Sequence, residues 1–359
     1  MEWLILVAAL FLAFNNGAND NFKGFATVWG SDTLDYRKAL ALATLATVAG
    51  SLAALFLAET LVQNFSGKGL VADAVANTPL FMFSVVCSAA FTVFLATHSG
   101  MPVSTTHALI GGLIGAGLAQ ATGGVHLDKL MHTFLLPLLV SPVLAAILGA
   151  LAYSVFRLRS DEKDCVCVIQ PEIAEASVAD GMVMQSISIP TLVVGQDENC
   201  DILPVAARFS IDHWLNKLHT LSAMAICFAR GVNDTPKIAA LLIASRLISA
   251  KPSFFLLAAA MALGGIVFAK KVADRMSHRV SQMDHGQGLA ANLITALLVL
   301  FASKIGVPVS TTHVSVGSIA GVGMRAQSLD WQSLRLILLS WIATLPLAAA
   351  LAWAISRLL

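Results

Sequence analysis

Long charge-free stretches set the pattern of this chain. Residues 39–58, 74–97, 133–156 and 336–356 each run for twenty residues or more without Asp, Glu, Lys or Arg. A bilayer core of about 30 Å takes roughly 20 apolar residues of helix, and no soluble core explains so many runs of that length. The apolar pattern predicts helices near 3–20, 39–58, 76–97, 103–120 and 133–156. A second series follows near 218–248, 253–269, 289–303, 307–323 and 333–357. Between the two lies a polar stretch that opens on Ser160-Asp161-Glu162-Lys163-Asp164 and holds short β-prone runs at 166–169 and 191–194, punctuated by Gly and Pro. It reads as a small, β-rich or partly ordered appendage. The division is therefore a first membrane half over 1–156, a polar insert over 157–215 and a second membrane half over 216–359. The expected class is an all-α integral membrane protein, multi-pass in the cell membrane and surrounded by lipid.

Composition agrees. Hydrophobic residues make up 57% of the 359 positions and charged residues 12%, about half the charged share of soluble domains. The N-terminal run has no basic segment before it and ends in Asn15-Asn16-Gly17 without a cleavage pattern, so it is read as mature chain. A formal net charge of +1 gives no case for nucleic acid binding. Of the five cysteines, Cys87 and Cys227 sit in apolar runs as packing residues. Cys165, Cys167 and Cys200 lie in the insert without paired zinc spacing, so neither a metal site nor a cofactor is expected.

Two motifs recur in the same order. Gly17-Ala18-Asn19-Asp20-Asn21-Phe22-Lys23 is echoed by Gly231-Val232-Asn233-Asp234-Thr235-Pro236-Lys237. Gly100-Met101-Pro102-Val103-Ser104-Thr105-Thr106-His107 is echoed by Gly306-Val307-Pro308-Val309-Ser310-Thr311-Thr312-His313. Chance does not repeat an eight-residue segment with one mismatch, so the chain is an internal duplication. Five segments per half is an odd number. If all of them cross, the second half enters with opposite orientation, and the repeats are inverted, a recurrent plan of secondary transporters. The Ser-Thr-Thr segments are either full crossings or re-entrant hairpins; the symmetry survives either way if both copies behave alike. With both termini outside, twelve Lys and Arg residues, among them Arg37, Lys38, Lys270, Lys271, Arg275 and Arg279, fall on the inner side. Six, such as Lys68 and Lys129, fall outside. This bias places the insert in the cytoplasm, where its cysteines are expected to stay reduced.

The motifs carry the chemistry. Asp20 and Asp234 are carboxylates at membrane depth, which is costly and tolerated mainly at functional, protein-lined sites. The glycines and the Thr235-Pro236 step predict broken helices, whose freed carbonyls bind cations and whose half-helix ends bind anions. Asn19, Asp20, Asn233 and Asp234 offer hard oxygen ligands for a coupling ion: sodium, or a proton carried by the Asp. The plainer role is a polar helix cap at the membrane edge. In the second motif proline suits a first helical turn. Ser104, Thr105 and Thr106, with Ser310, Thr311 and Thr312, then stand beside unpaired N–H groups at a helix N-terminus, an anion site that capping alone does not exclude. Gly111, Gly115, Gly317 and Gly321 follow at four-residue spacing, which lets membrane helices pack closely. His107 and His313 have no firm role; each is placed to bond a backbone carbonyl or to touch substrate.

At these residues the chain resembles the inorganic phosphate transporter (Pit) family, whose members carry a Gly-Ala-Asn-Asp and a Pro-x-Ser-Ser/Thr-Thr-His signature in each of two inverted halves. The resemblance covers all but about 157–215. It implies phosphate permease activity in the cell (inner) membrane: cation-coupled symport of inorganic phosphate by alternating access, with Na+ or H+ as coupling ion. It also implies a central site built from the four Asn and Asp residues and the six hydroxyls, and a homodimer. The family includes sulfate carriers, so another tetrahedral oxyanion is the alternative substrate. An anion channel fits less well, because nothing resembles a selectivity filter. A membrane enzyme fits poorly, because two equal copies of Ser104 and His107 suit a carrier better than one catalytic centre. One departure is symmetric: where the family signature has Asn three residues after the Asp, this chain has Lys23 and Lys237. An ammonium there stands in for a bound sodium, binds the anion directly, neutralises the neighbouring Asp or snorkels to the interface.

Overall fold

The structure, a computed structural model, describes residues 1–120, 124–157, 165–169, 191–195, 205–280 and 283–359. The first half holds α1 (Glu2–Asp20), α2 (Ala26–Gly30), α3 (Tyr36–Leu57), α4 (Glu59–Phe65), α5 (Asp73–Ala76), α6 (Pro79–His98), α7 (Thr105–Gln120), α8 (Leu127–Lys129) and α9 (Leu136–Arg157). A π-helical turn over Leu130–Leu135 joins the last two. Three strands follow, β1 (Cys165–Ile169), β2 (Thr191–Gly195) and β3 (Val205–Ser210). They form an antiparallel sheet of order β2-β1-β3 with a bulge at Val168/Ile169 on the β3 side. The second half holds α10 (Ile211–Ala244), α11 (Ala250–Phe268), α12 (Lys270–His278), α13 (His285–Ile305), α14 (Thr311–Ala326) and α15 (Trp331–Leu358).

Cap chemistry sets many of the helix starts. The side chains of Asp35, Thr78, Asp284 and Asp330 each accept a bond from a backbone N–H two or three residues on, satisfying groups that have no intrahelical partner. Gly306 closes α13 in the left-handed conformation, as C-terminal glycines do.

Among the described residues six helices are long and apolar enough to cross a membrane: Tyr36–Leu57, Pro79–His98, Leu127–Val155, Ala250–Phe268, His285–Ile305 and Trp331–Leu358. The molecule is an all-α membrane protein apart from the small sheet. Its polarity is inverted relative to a soluble domain: Phe56, Leu139, Leu297 and Ile342 are exposed on the outside, while Asn16, Asp20, Lys23, Arg230, Asp234 and Lys237 lie inside at no more than 3% exposure.

The packing comes in matched pairs. α1 packs on α11 and α6; its counterpart α10 packs on α3 and α13. α7 packs on α15, and its counterpart α14 packs on α9. Each half therefore lends its motif helices to the other. Glycine makes the crossings close. A Cβ on Gly17 would lie 1.9 Å from the Met261 carbonyl oxygen, and one on Gly231 would lie 2.4 Å from that of Thr47. Gly111 and Gly115 lie against Leu345 and Ala349, as Gly317 and Gly321 lie against Pro142 and Ala146, all at backbone carbonyls. This is the close approach that four-residue spacing of small residues allows.

Two expectations need correction. The Thr235-Pro236 step does not break its helix: α10 runs unbroken from Ile211 to Ala244 with Pro236 inside. A proline in a membrane helix is tolerated where neighbouring groups satisfy the freed carbonyl. The break occurs in the first copy, where α1 stops at Asp20 and a 3-10 turn spans Lys23–Phe25. Gly24 lies there against α10, with room for no Cβ beside Ala223 and Cys227. The second correction concerns Cys167, which is buried in β1 and disulfide-bonded. The expectation of reduced thiols rested on the side of the membrane assigned to the insert and the redox poise there. Cys200 lies outside the described residues, and Cys87 and Cys227 are free thiols in helices.

Candidate functional site

The four motifs meet in the interior. The first Asn-Asp pair ends α1 and the second lies inside α10, and each Ser-Thr-Thr triplet opens α7 or α14 after a short non-helical approach. Asn19 fixes the first approach. Its amide donates to Thr97 Oγ1 (3.0 Å) and to the Met101 carbonyl (2.9 Å), and its Oδ1 accepts from Val103 N (3.0 Å). Asn233 does the corresponding work. Its amide donates to the Val309 carbonyl (3.2 Å) and Asp234 Oδ1 (2.9 Å), and its Oδ1 accepts from Ser303 Oγ (3.2 Å). Ser104 and Ser310 cap their helices by accepting from the backbone N–H of His107 (3.1 Å) and His313 (3.2 Å). Thr105 accepts from the Asn16 amide at 2.9 Å and donates to Asp20 Oδ2 at 3.4 Å. Thr311 is buried at the head of α14.

The two lysines tie the halves together. Lys23 Nζ forms an ion pair with Asp20 and donates to Asn19 Oδ1 (3.0 Å), the Val103 carbonyl (2.9 Å) and Thr312 Oγ1 (2.5 Å). Lys237 Nζ donates to the Val309 carbonyl (2.7 Å) and Thr106 Oγ1 (2.7 Å), with Asp234 Oδ1 at 3.6 Å. Each ammonium thus joins a carboxylate and a carbonyl of its own half to a hydroxyl of the other. Thr312 and Thr106 in turn donate to the Val103 and Val309 carbonyls, at 2.9 and 3.3 Å.

Sequence reasoning missed Arg230. It is 2% exposed, one residue before the second motif and four before Asp234. Its guanidinium donates to Asn21 Oδ1 (3.1 Å), Thr47 Oγ1 (3.2 Å) and Asn16 Oδ1 (2.9 Å), and its Nε lies 3.7 Å from Asp234 Oδ2. The position matching it in the first half holds Asn16, whose amide donates to Asp20 Oδ2 (2.9 Å) and Asp234 Oδ2 (3.3 Å). A motif aligned from its glycine onward begins one residue too late to include either. The available signal was a lone arginine in an apolar run at helical i, i+4 spacing from an Asp.

Three cations face two carboxylates here. If each Lys–Asp pair is counted as neutral, whichever partner holds its proton, the Arg230 guanidinium is the uncompensated charge. Leaving such a charge buried is costly, so the site is electrostatically prepared for an anion. The first N–H groups of α7 and α14, which lack intrahelical acceptors, add positive potential.

His107 and His313 pack edge to face at 4.4 Å between ring centroids, and His313 stacks on Trp341 at 3.7 Å. The first of these contacts packs one half on the other, and Nδ1 of His107 has no hydrogen-bond partner among the described residues. No group of three His, Cys, Asp or Glu placed to hold a metal occurs among those residues.

Comparison with known proteins agrees with this architecture. Residues 16–352 match the model of the phosphate transporter family. The chain is 26% identical to a phosphate permease of Pyrococcus horikoshii, with 99% of this chain and 98% of that protein aligned. It is 24% identical to a chloroplastic inorganic phosphate transporter of Arabidopsis thaliana, with 100% of this chain and 73% of that protein aligned. A solved structure of a sodium-dependent phosphate transporter superposes with a TM-score of 0.77 over 99% of this chain and 98% of that one; at 20% identity the likeness is one of fold. The family match runs from Asn16 through both motif pairs into the last helix, and the chain accordingly belongs to the phosphate transporter family, as a multi-pass membrane transporter and not an enzyme.

Proposed function

We propose that this protein is a secondary active carrier that moves inorganic phosphate across the membrane with a cation, by alternating access. The observation that carries the reading is the meeting of both motif pairs in one buried network that sets three cations, Lys23, Arg230 and Lys237, against two carboxylates. An oxyanion seated there neutralises the excess charge and accepts from Ser-Thr-Thr hydroxyls and first-turn N–H groups of both halves. Phosphate as the substrate follows the family and the names of the relatives; sulfate shares the shape and is the second substrate to test.

Inverted repeats are part of the reading. The exchanged packing of α1 on α11 and α10 on α3 is what two halves related by a two-fold axis in the membrane plane would make. α7 and α14 have 16 residues each, about 24 Å of helix, short of a full bilayer core. They suit half-crossings that end at a central site. Single cysteines placed at the exposed Lys68 and at Gly286 would then label from the outer and the inner face respectively; labelling of both from one face refutes the inversion.

Carriage is tested with the purified protein in proteoliposomes. Radiolabelled phosphate should enter faster when unlabelled phosphate is trapped inside at high concentration, with no ion gradient, because a carrier exchanges substrate. Flux that is not accelerated by trapped substrate identifies a channel instead.

A further inference from the structure

Both lysine ammonium groups sit in cages made of oxygen. Around Lys23 Nζ stand a carboxylate oxygen of Asp20, the amide oxygen of Asn19, the Val103 carbonyl and the Thr312 hydroxyl. Around Lys237 Nζ stand the Val309 carbonyl, the Thr106 hydroxyl and, further off, a carboxylate oxygen of Asp234. Carboxylate, amide, carbonyl and hydroxyl oxygens are the ligands that hard cations take. In secondary carriers, carbonyls beside half-helices coordinate the driving ion, and Val103 and Val309 are such carbonyls. Neither lysine reaches an interface: they are 3% and 1% exposed, so snorkelling does not describe them.

We infer that Lys23 and Lys237 are resident cations that permanently fill the two cation cages, so that this carrier takes up its oxyanion without sodium. The inference rests on the oxyanion-carrier reading above. Three features support it beyond the cage geometry. The two cages correspond through the repeat in their valine carbonyl, threonine hydroxyl and Asp oxygen, so one physical cause accounts for both. Each ammonium bridges the halves through a threonine of the other half, the place where a bound ion would couple oxyanion binding to closure. The site as a whole already carries an excess positive charge through Arg230, so an arriving anion needs no accompanying metal cation for balance. A second cation brought within about 4 Å of a fixed ammonium is repelled by an amount on the order of a thousandfold in affinity at an effective dielectric of 20. A sodium ion and the lysine therefore cannot share a cage. The cation left to accompany the oxyanion is a proton.

The test has two readouts. In proteoliposomes of the full chain, phosphate and sulfate uptake is measured with sodium replaced by choline and with a pH gradient imposed separately. In detergent, binding of radioactive sodium to the same protein is measured directly, with no requirement for transport. The parent should show uptake indifferent to sodium and no saturable sodium binding. Lys23→Asn with Lys237→Asn exchanges each ammonium for a neutral oxygen ligand, and should gain saturable sodium binding by roughly a hundred- to a thousandfold. Lys23→Met with Lys237→Met removes the charge without supplying a ligand, and should gain much less than the asparagine variant. Saturable sodium binding by the parent, or sodium-dependent uptake, overturns the inference. If the double variants do not fold, the parent's binding measurement alone decides. If the parent carries neither oxyanion under any gradient, the carrier reading fails, while sodium binding still decides whether the cages are filled.

Discussion

The two Asn-Asp-x-x-Lys segments carry the same chemistry on two different backbones. In the first, the helix stops at Asp20 and the chain turns, so Lys23 folds directly over its own carboxylate. In the second, the helix runs on through Pro236, and the i, i+3 spacing leaves Lys237 at 3.6 Å from Asp234. Both ammonium groups still reach equivalent carbonyls and hydroxyls. The difference teaches that the cages are fixed by the Ser-Thr-Thr helices and their approaches, and that the Asn-Asp helices adapt to them. The segments also differ in charge. Asp234 has Arg230 one turn before it, while Asp20 has the neutral Asn16. The site is nearly symmetric in shape and asymmetric in charge.

That asymmetry gives the largest expected effect. Arg230→Gln removes the uncompensated charge and the bonds to Asn16, Asn21 and Thr47. Truncating one partner of a buried, hydrogen-bonded charge pair at a binding contact costs about 2–5 kcal/mol, so phosphate affinity should fall by roughly a hundredfold. Asn16→Ala, at the matching position, removes neutral hydrogen bonds worth about 1–3 kcal/mol and should cost nearer tenfold, roughly. Calorimetric titration of both purified variants with phosphate measures this. Equal losses would mean that the charge difference between the halves has no bearing on the anion.

The smaller effect concerns the hydroxyls. Thr105→Val with Thr106→Val, and Thr311→Val with Thr312→Val, keep side-chain shape and delete the oxygens. Hydrogen bonds to charged groups are worth about 1.5–3 kcal/mol, so each double variant should lower phosphate affinity roughly ten- to a hundredfold. The first pair should be the more damaging, because it loses contacts with Asn16, Asp20 and Lys237 together. Unchanged titrations in both would place the oxyanion away from these helices.

Much of this was legible in the chain itself. Charge-free runs of bilayer length leave no soluble alternative, because an apolar surface of that extent must face lipid. The repeated motifs identified Asn19, Asp20, Lys23 and their counterparts, because polar groups at membrane depth persist only where something requires them. The glycine spacing after each Ser-Thr-Thr triplet announced close helix crossings, now seen against α15 and α9. What the sequence alone left open depended on neighbours distant in the chain. Pro236 suggests a break by local rules, yet α10 stays helical through it where it packs on α3 and α13, while α1 has ended before Gly24 meets α10. Arg230 looks like an isolated charge until Asn16, Asn21 and Thr47 are brought around it from the other half. For the lysines the neighbouring Asp and the cation-like role were legible from spacing, but the cross-repeat partners, Thr312 for Lys23 and Thr106 for Lys237, were not. Local spacing fixes which groups a helix presents; only the folding of one repeat into the other decides which charges are left without a partner.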